Sequence, residues 1–107
     1  MKRYRTFSPS ELAAWIPQLI ARHDLHAFYI TKAWLHLRAE VLREQHYECQ
    51  RCKAKGLFVP AVTVHHIRTV RDAPWLALTK SNLMALCEKC HYEIHHGHKA
   101  KLEDERW

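Results

Sequence analysis

The sequence predicts a small α+β fold: a β-hairpin followed by a helix, with helices in front and a four-cysteine zinc knuckle stapling the parts together. Three observations predict it. Residues 62–67 and 83–86 are short apolar runs, the first rich in β-branched side chains, and a polar stretch containing Pro74 joins them. They read as two strands of a hairpin with a long loop. Apolar residues recur at helical spacing upstream, and two C-x2-C pairs, Cys49/Cys52 and Cys87/Cys90, bracket both runs and the loop between them.

A chain of 107 residues makes one domain with a modest core, which a metal staple would help. Its 48% hydrophobic content and four tryptophans fit a folded chain rather than a disordered one. Lys and Arg number 17 against 11 Asp and Glu, a net charge of +6, which favours a polyanionic partner such as nucleic acid. No apolar run reaches the ~18 residues of a membrane span. The basic start Met1-Lys2-Arg3 leads into Pro9, Glu11 and Pro17 rather than an apolar stretch, so no signal peptide is expected. The cysteines are then expected in a reducing cytoplasm, where such pairs mean metal more often than disulfides.

The first helix is marked by Ser8 as N-cap, Pro9 at the first helical position and Glu11 completing a capping box. Phe7 and Leu12 are spaced for a hydrophobic staple. Leu12, Trp15, Ile16 and Leu19 form its core stripe, Trp15 included, and Pro17 should kink the helix or split it. Residues 22–30 read as a connector with solvated His23 and His26. A second helix runs from Thr31, its cap, to about residue 45, burying Trp34, Leu37, Val41 and Leu42. Lys32, Arg38 and Arg43 lie off that stripe, either touching phosphate or simply solvated. After the first cysteine pair and a short apolar link comes the hairpin. The Trp75-Leu76-Ala77-Leu78 run in its loop is expected to plug back into the core. A last helix begins near His91 and ends or bends at Gly97, before a charged tail.

Cys49, Cys52, Cys87 and Cys90 can fill a tetrahedral zinc shell, which leaves no open position and makes that ion structural. A second donor set remains. His91 and His95 are one helical turn apart and share a face. His65 and His66 end the first strand, where neighbours point to opposite sides, so only one of them can join the helix pair. The other is then expected to face the substrate.

The order His65-His66, Asn82, His91 on a hairpin and helix resembles the HNH endonucleases, the ββα-metal nucleases. The cysteine knuckle resembles their zinc-containing branch. The pattern Phe28-Tyr29-x4-Trp34-x2-Leu37-Arg38-x2-Val41-Leu42 resembles small phage members in particular. The resemblance spans about residues 28–96. It implies an N-terminal helical extension at 1–27, an HNH nuclease domain with zinc knuckle at 28–100 and a charged tail at 101–107. His65, His91 and His95 match ligands of one catalytic divalent cation. His66 matches the general base that deprotonates the attacking water, and Asn82 the asparagine that steadies the loop and aims that base. Acting on water rather than on an ion, His66 is expected to be replaceable by alanine without loss of fold. Products would carry a 5′-phosphate and a 3′-hydroxyl. Many members carry aspartate where His65 stands and asparagine at one helix position. An all-imidazole set suits Mn²⁺, Ni²⁺ or Co²⁺ better than Mg²⁺.

The expected function is therefore a metal-dependent endonuclease of double-stranded DNA. The resemblance implies a phage setting, action in the host cytoplasm and association with the packaging terminase. The alternative is a non-catalytic zinc-knuckle DNA-binding module or packaging adaptor, for which an open second metal site has no use. Arg68 and Arg71, beside the active strand, are the candidate phosphate contacts. No exposed aromatic platform is legible, which favours DNA over RNA.

Overall fold

The computed structural model describes residues 7–97; the charged tail expected at 101–107 lies outside them. Five α-helices and one hairpin follow in the order α1 (Pro9–Ala21), α2 (His26–Tyr29), α3 (Lys32–Glu44), α4 (Gln50–Ala54), β1 (Thr63–His66), β2 (Leu83–Leu86) and α5 (Glu88–Gly97). Two short 3-10 turns, Pro74–Leu76 and Lys80–Asn82, sit in the hairpin loop. None of the described helices is long and apolar enough to cross a membrane.

The expected capping box opens α1: the Ser8 hydroxyl accepts from the Glu11 N–H at 3.1 Å, and the Glu11 carboxylate accepts from the Ser8 N–H at 2.8 Å. Leu12, Ile16 and Leu19 are buried. Trp15 packs at the margin of the core as expected, half-buried, and stacks on Phe7 at 5.2 Å. Pro17 does not split the helix. Ala13, whose carbonyl loses its usual partner to Pro17, lies with it on the exposed side, where water can satisfy that oxygen.

Histidines stop two of the helices. His23 after α1 and His46 after α3 adopt φ of 57° and 58°, the left-handed region usually given to glycine. At each, the next residue's N–H reaches back to a last-turn carbonyl, Asp24 to Leu19 and Tyr47 to Leu42, both at 2.8 Å. That is a Schellman cap. His23 and His26 are exposed, but the stretch that reads as a connector holds the short helix α2, which starts at His26 and buries Phe28 and Tyr29.

β1 and β2 pair antiparallel with His65 opposite Met84 and His66 opposite Leu83. One core gathers Leu12, Ile16 and Leu19 of α1, Phe28 and Tyr29, Trp34 and Val41 of α3, and Val64, Val70, Ala77 and Ala85 of the hairpin. The core thus runs across the boundary placed at 27/28. A second, smaller core is built around Cys49, Cys52, Leu86, Cys87 and Cys90. Gln45, at the end of α3, completes the sheet edge: its amide accepts from the Ala85 N–H at 2.8 Å and donates to the Leu83 carbonyl at 3.3 Å. Arg38 donates to the Val62 carbonyl at 3.1 Å, so it secures the entry to β1. Within the loop run, Ala77 is fully buried but Trp75 is 41% exposed. Only part of that run plugs the core.

Candidate active site and metal centres

The four cysteines converge. Their sulfurs lie within 4.8 Å of one another. Cys52 Sγ is 3.7 Å from Cys90 Sγ and 4.0 Å from Cys87 Sγ. A tetrahedral zinc with bonds of about 2.3 Å needs sulfur–sulfur edges of about 3.8 Å, so the set fits that ion. Local folding explains the convergence. Cys49 is the N-cap of α4 and Cys52 lies inside it, while Cys87 leads into α5 and Cys90 lies in its first turn. Burial opposes ionisation of Cys49, but backbone hydrogen bonds from Cys52 and Cys87 outweigh it and bring its pKa down to about 6. Burial and its cysteine neighbours push Cys90 up to about 12. Four thiolates therefore need a cation among them. Arg51 ties the knuckle to α5 through the Cys90 carbonyl at 3.5 Å and Glu93 at 3.8 Å.

The second set gathers where β1 faces α5. His65, His91 and His95 present ligand atoms within 4.8 Å of one another. His91 and His95 lie one turn apart with Nε2 atoms 2.9 Å apart, and the His65 ring centroid is 6.1 and 5.5 Å from theirs. His65 and His95 are buried and His91 is half-buried. Burial first, then the neighbouring His95, lowers the His91 pKa to about 4, so that its ring is a neutral nitrogen donor at pH 7. Three convergent imidazoles fit a divalent ion that accepts nitrogen. Cys90 and His91 are adjacent, so a single helix carries ligands of both sets.

His66 points to the opposite face of the strand, into the core, which corrects the expectation that it faces the substrate. Its ring is fully buried and stacks on Trp34 at 4.8 Å, with Phe28 and Tyr29 at 6.4 and 6.2 Å. The expectation that its loss would leave the fold untouched is corrected here, because removing a ring packed on three aromatics leaves a cavity. Nε2 lies 3.0 Å from the Ala77 carbonyl oxygen. That oxygen only accepts, so Nε2 carries the proton and Nδ1 holds the lone pair at neutral pH. These aromatic neighbours were visible in the sequence only as spacing; their role as walls around His66 was missed, as was the Ala77 carbonyl.

Burial lowers the His66 pKa from 6.5 to about 4, against a smaller opposing effect of the Ala77 hydrogen bond. The unfolded chain takes up this proton between pH 6.5 and 4 while the folded one does not. The contribution to stability is complete above pH 6.5 and is lost as pH falls toward 4, by about 1.4 kcal/mol per pH unit. A His66→Phe variant should lose less stability than wild type between pH 7 and 4.5, as read from urea midpoints. Equal acid losses in the two would contradict the burial argument.

Asn82 closes the loop. Its Oδ1 accepts from the Arg68 N–H at 2.9 Å, and its Nδ2 donates to the carbonyls of Arg68 at 3.1 Å and Leu76 at 3.4 Å. Both limbs of the loop that supplies Ala77 are thereby held. Arg68 and Arg71 lie exposed on the same loop, with the Arg68 guanidinium 5.7 Å above the Trp75 ring.

A hairpin carrying one histidine of a convergent trio, a helix carrying the other two and a four-cysteine knuckle beside them make this a nuclease core of the ββα-metal class. The HNH endonuclease family matches residues 49–97, so the chain carries an HNH endonuclease domain and is a DNA-cleaving hydrolase. The crystal structure of an HNH endonuclease from the deep-sea thermophilic bacteriophage GVE2, with manganese ion, is similar: the TM-score is 0.71 at 29% identity, covering 78% of this chain and 90% of that one. A comparison with curated proteins finds no match.

Proposed function

We propose that this chain hydrolyses phosphodiester bonds of double-stranded DNA with one divalent cation held by His65, His91 and His95, while a zinc held by Cys49, Cys52, Cys87 and Cys90 serves the fold. The observation that carries the reading is the convergence of those three imidazoles between β1 and α5. A cation bound there would supply positive charge to the phosphate and the leaving 3′-oxygen. His66 is assigned the proton of the attacking water at Nδ1, where the Ala77 carbonyl leaves the lone pair; that nitrogen is buried in this structure, so the role requires water to gain access to it when DNA binds. Asn82 acts as a positioning residue, because it holds the loop that presents Ala77. Arg68 and Arg71 contact backbone phosphates. A phage setting draws support from the likeness to the GVE2 enzyme, and association with a packaging terminase from the family resemblance.

The test is initial nicking rate of supercoiled plasmid against concentration of each metal. Mg²⁺ is hard and gives up water reluctantly, whereas neutral nitrogens suit Mn²⁺, Co²⁺ and Ni²⁺. Activity with those three should stand well above that with Mg²⁺ at equal concentration. His65→Asp adds a charged oxygen ligand and should shift the preference toward Mg²⁺. Wild-type activity that saturates at low Mg²⁺, or an unchanged ranking in His65→Asp, removes His65 from the ligand set.

A further inference from the structure

Trp75 interrupts an otherwise buried turn. Pro74 and Ala77, on either side of it, are buried, and Ala73 and Val70 are fully covered. The indole nevertheless keeps 41% of its surface open, even with the Arg68 guanidinium 5.7 Å above its ring. The backbone that presents it is tied in place. Leu76 N–H donates to the Ala73 carbonyl at 2.9 Å, Ala77 N–H to Pro74 at 3.2 Å, and Thr79 N–H to Leu76 at 3.1 Å. One side chain, Asn82, holds both partners of the pair: it grips the backbone of Arg68 on one limb of the loop and the carbonyl of Leu76, next to Trp75, on the other.

The position of the pair matters as much as its rigidity. Arg68 follows His66 by two residues on the strand, and Trp75 precedes by two the Ala77 carbonyl that holds the His66 ring. Both limbs therefore start from the histidine assigned to the water. A part-exposed indole beside a guanidinium is chemistry for the flat face of a base together with its phosphate, and it corrects the expectation that the chain offers no exposed aromatic platform. In an intact duplex those faces are hidden by stacking. Only an unpaired base offers one without further cost.

We propose that Trp75, backed by Arg68, is a stacking platform for an unpaired base, so that the preferred substrate is DNA with a bulged or otherwise unpaired nucleotide near the cut. This rests on the nuclease reading above and adds a substrate class to it. Exposed Ile67, at 54%, adjoins Arg68 and widens the apolar part of the platform.

The experiment compares two labelled duplexes of one sequence, one intact and one with a single-base bulge, for wild type, Trp75→Phe and Trp75→Ala. Cleavage is measured in Mn²⁺ and binding by fluorescence anisotropy without divalent metal. Wild type should favour the bulged duplex by roughly ten-fold, within what base–aromatic stacking supports. Trp75→Phe should keep most of that ratio and Trp75→Ala should bring it close to one. Melting temperature and zinc content check that each variant is folded, and the ratio between substrates is insensitive to a general loss of active protein. Equal handling of the two duplexes by wild type, or a preference that survives in Trp75→Ala, overturns the proposal. If no substrate is cut but binding keeps a Trp75-dependent preference, the platform stands and the nuclease reading falls. If both are cut without preference, the reverse holds.

Discussion

Cys87→Ser should yield a chain that purifies without zinc and melts without a cooperative transition. The small core around the knuckle has little besides sulfur to hold it. Its buried members are Cys49, Cys52, Cys87, Cys90 and a lone larger side chain, Leu86, with Val59, Met84 and Ile94 partly covering them. Structural zinc binding contributes about 10–16 kcal/mol in small zinc modules, as much as the ~5–15 kcal/mol by which a whole domain is stable. Losing one thiolate from a closed shell therefore decides whether α5 docks at all. Cys87 joins the end of β2 to the start of α5, so His91 and His95 lose their alignment with His65 in the same event. Cys52→Ser should behave alike. The check is metal content by atomic absorption together with a thermal melt. A Cys87→Ser protein with wild-type melting would show that the knuckle is not what fixes the helix.

The parts of this architecture that could be read from the sequence are those that rest on local chemistry. Residues 83–86 read as a strand and form one, and the Ser8–Glu11 box caps the helix that its spacing announces. The four cysteines stand at zinc spacing and do converge. What was not legible depends on tertiary packing. One turn of helix at α2 has no periodicity to detect, and it exists because Phe28 and Tyr29 are buried against Trp34 and His66. The Trp75 run misled for a geometric reason. A 3-10 turn places residues three apart on one side, so Pro74 and Ala77 face the core together and Trp75 points away. Alternation along β1 correctly separates His65 from His66, yet says nothing of what each side contains. That the far side of the strand is an aromatic box follows from α2 and α3, whose motif residues Phe28, Tyr29 and Trp34 all contact a histidine more than thirty positions downstream.

That box changes how the role of His66 must be tested. His66→Ala should lower plasmid nicking by about 10²–10⁴-fold, the usual worth of a general base. It should also cost stability, since the ring is fully buried and stacked on Trp34 at 4.8 Å. Large-to-alanine changes of this kind cost about 2–5 kcal/mol. A fall in activity alone would therefore be ambiguous between a lost base and a loosened fold. His66→Gln separates the two. Its amide can still donate to the Ala77 carbonyl and fills much of the space, but it cannot accept a proton at neutral pH. Stability should then lie near wild type while the rate stays as low as in the alanine variant. Added imidazole supplies the missing lone pair and can enter only a vacated cavity. It should raise the rate of His66→Ala and leave His66→Gln unchanged. Single-turnover nicking rates for both variants, with and without imidazole and at matched folded fraction, give the answer. Wild-type cleavage by His66→Gln would remove His66 from the proton transfer and leave it a core residue.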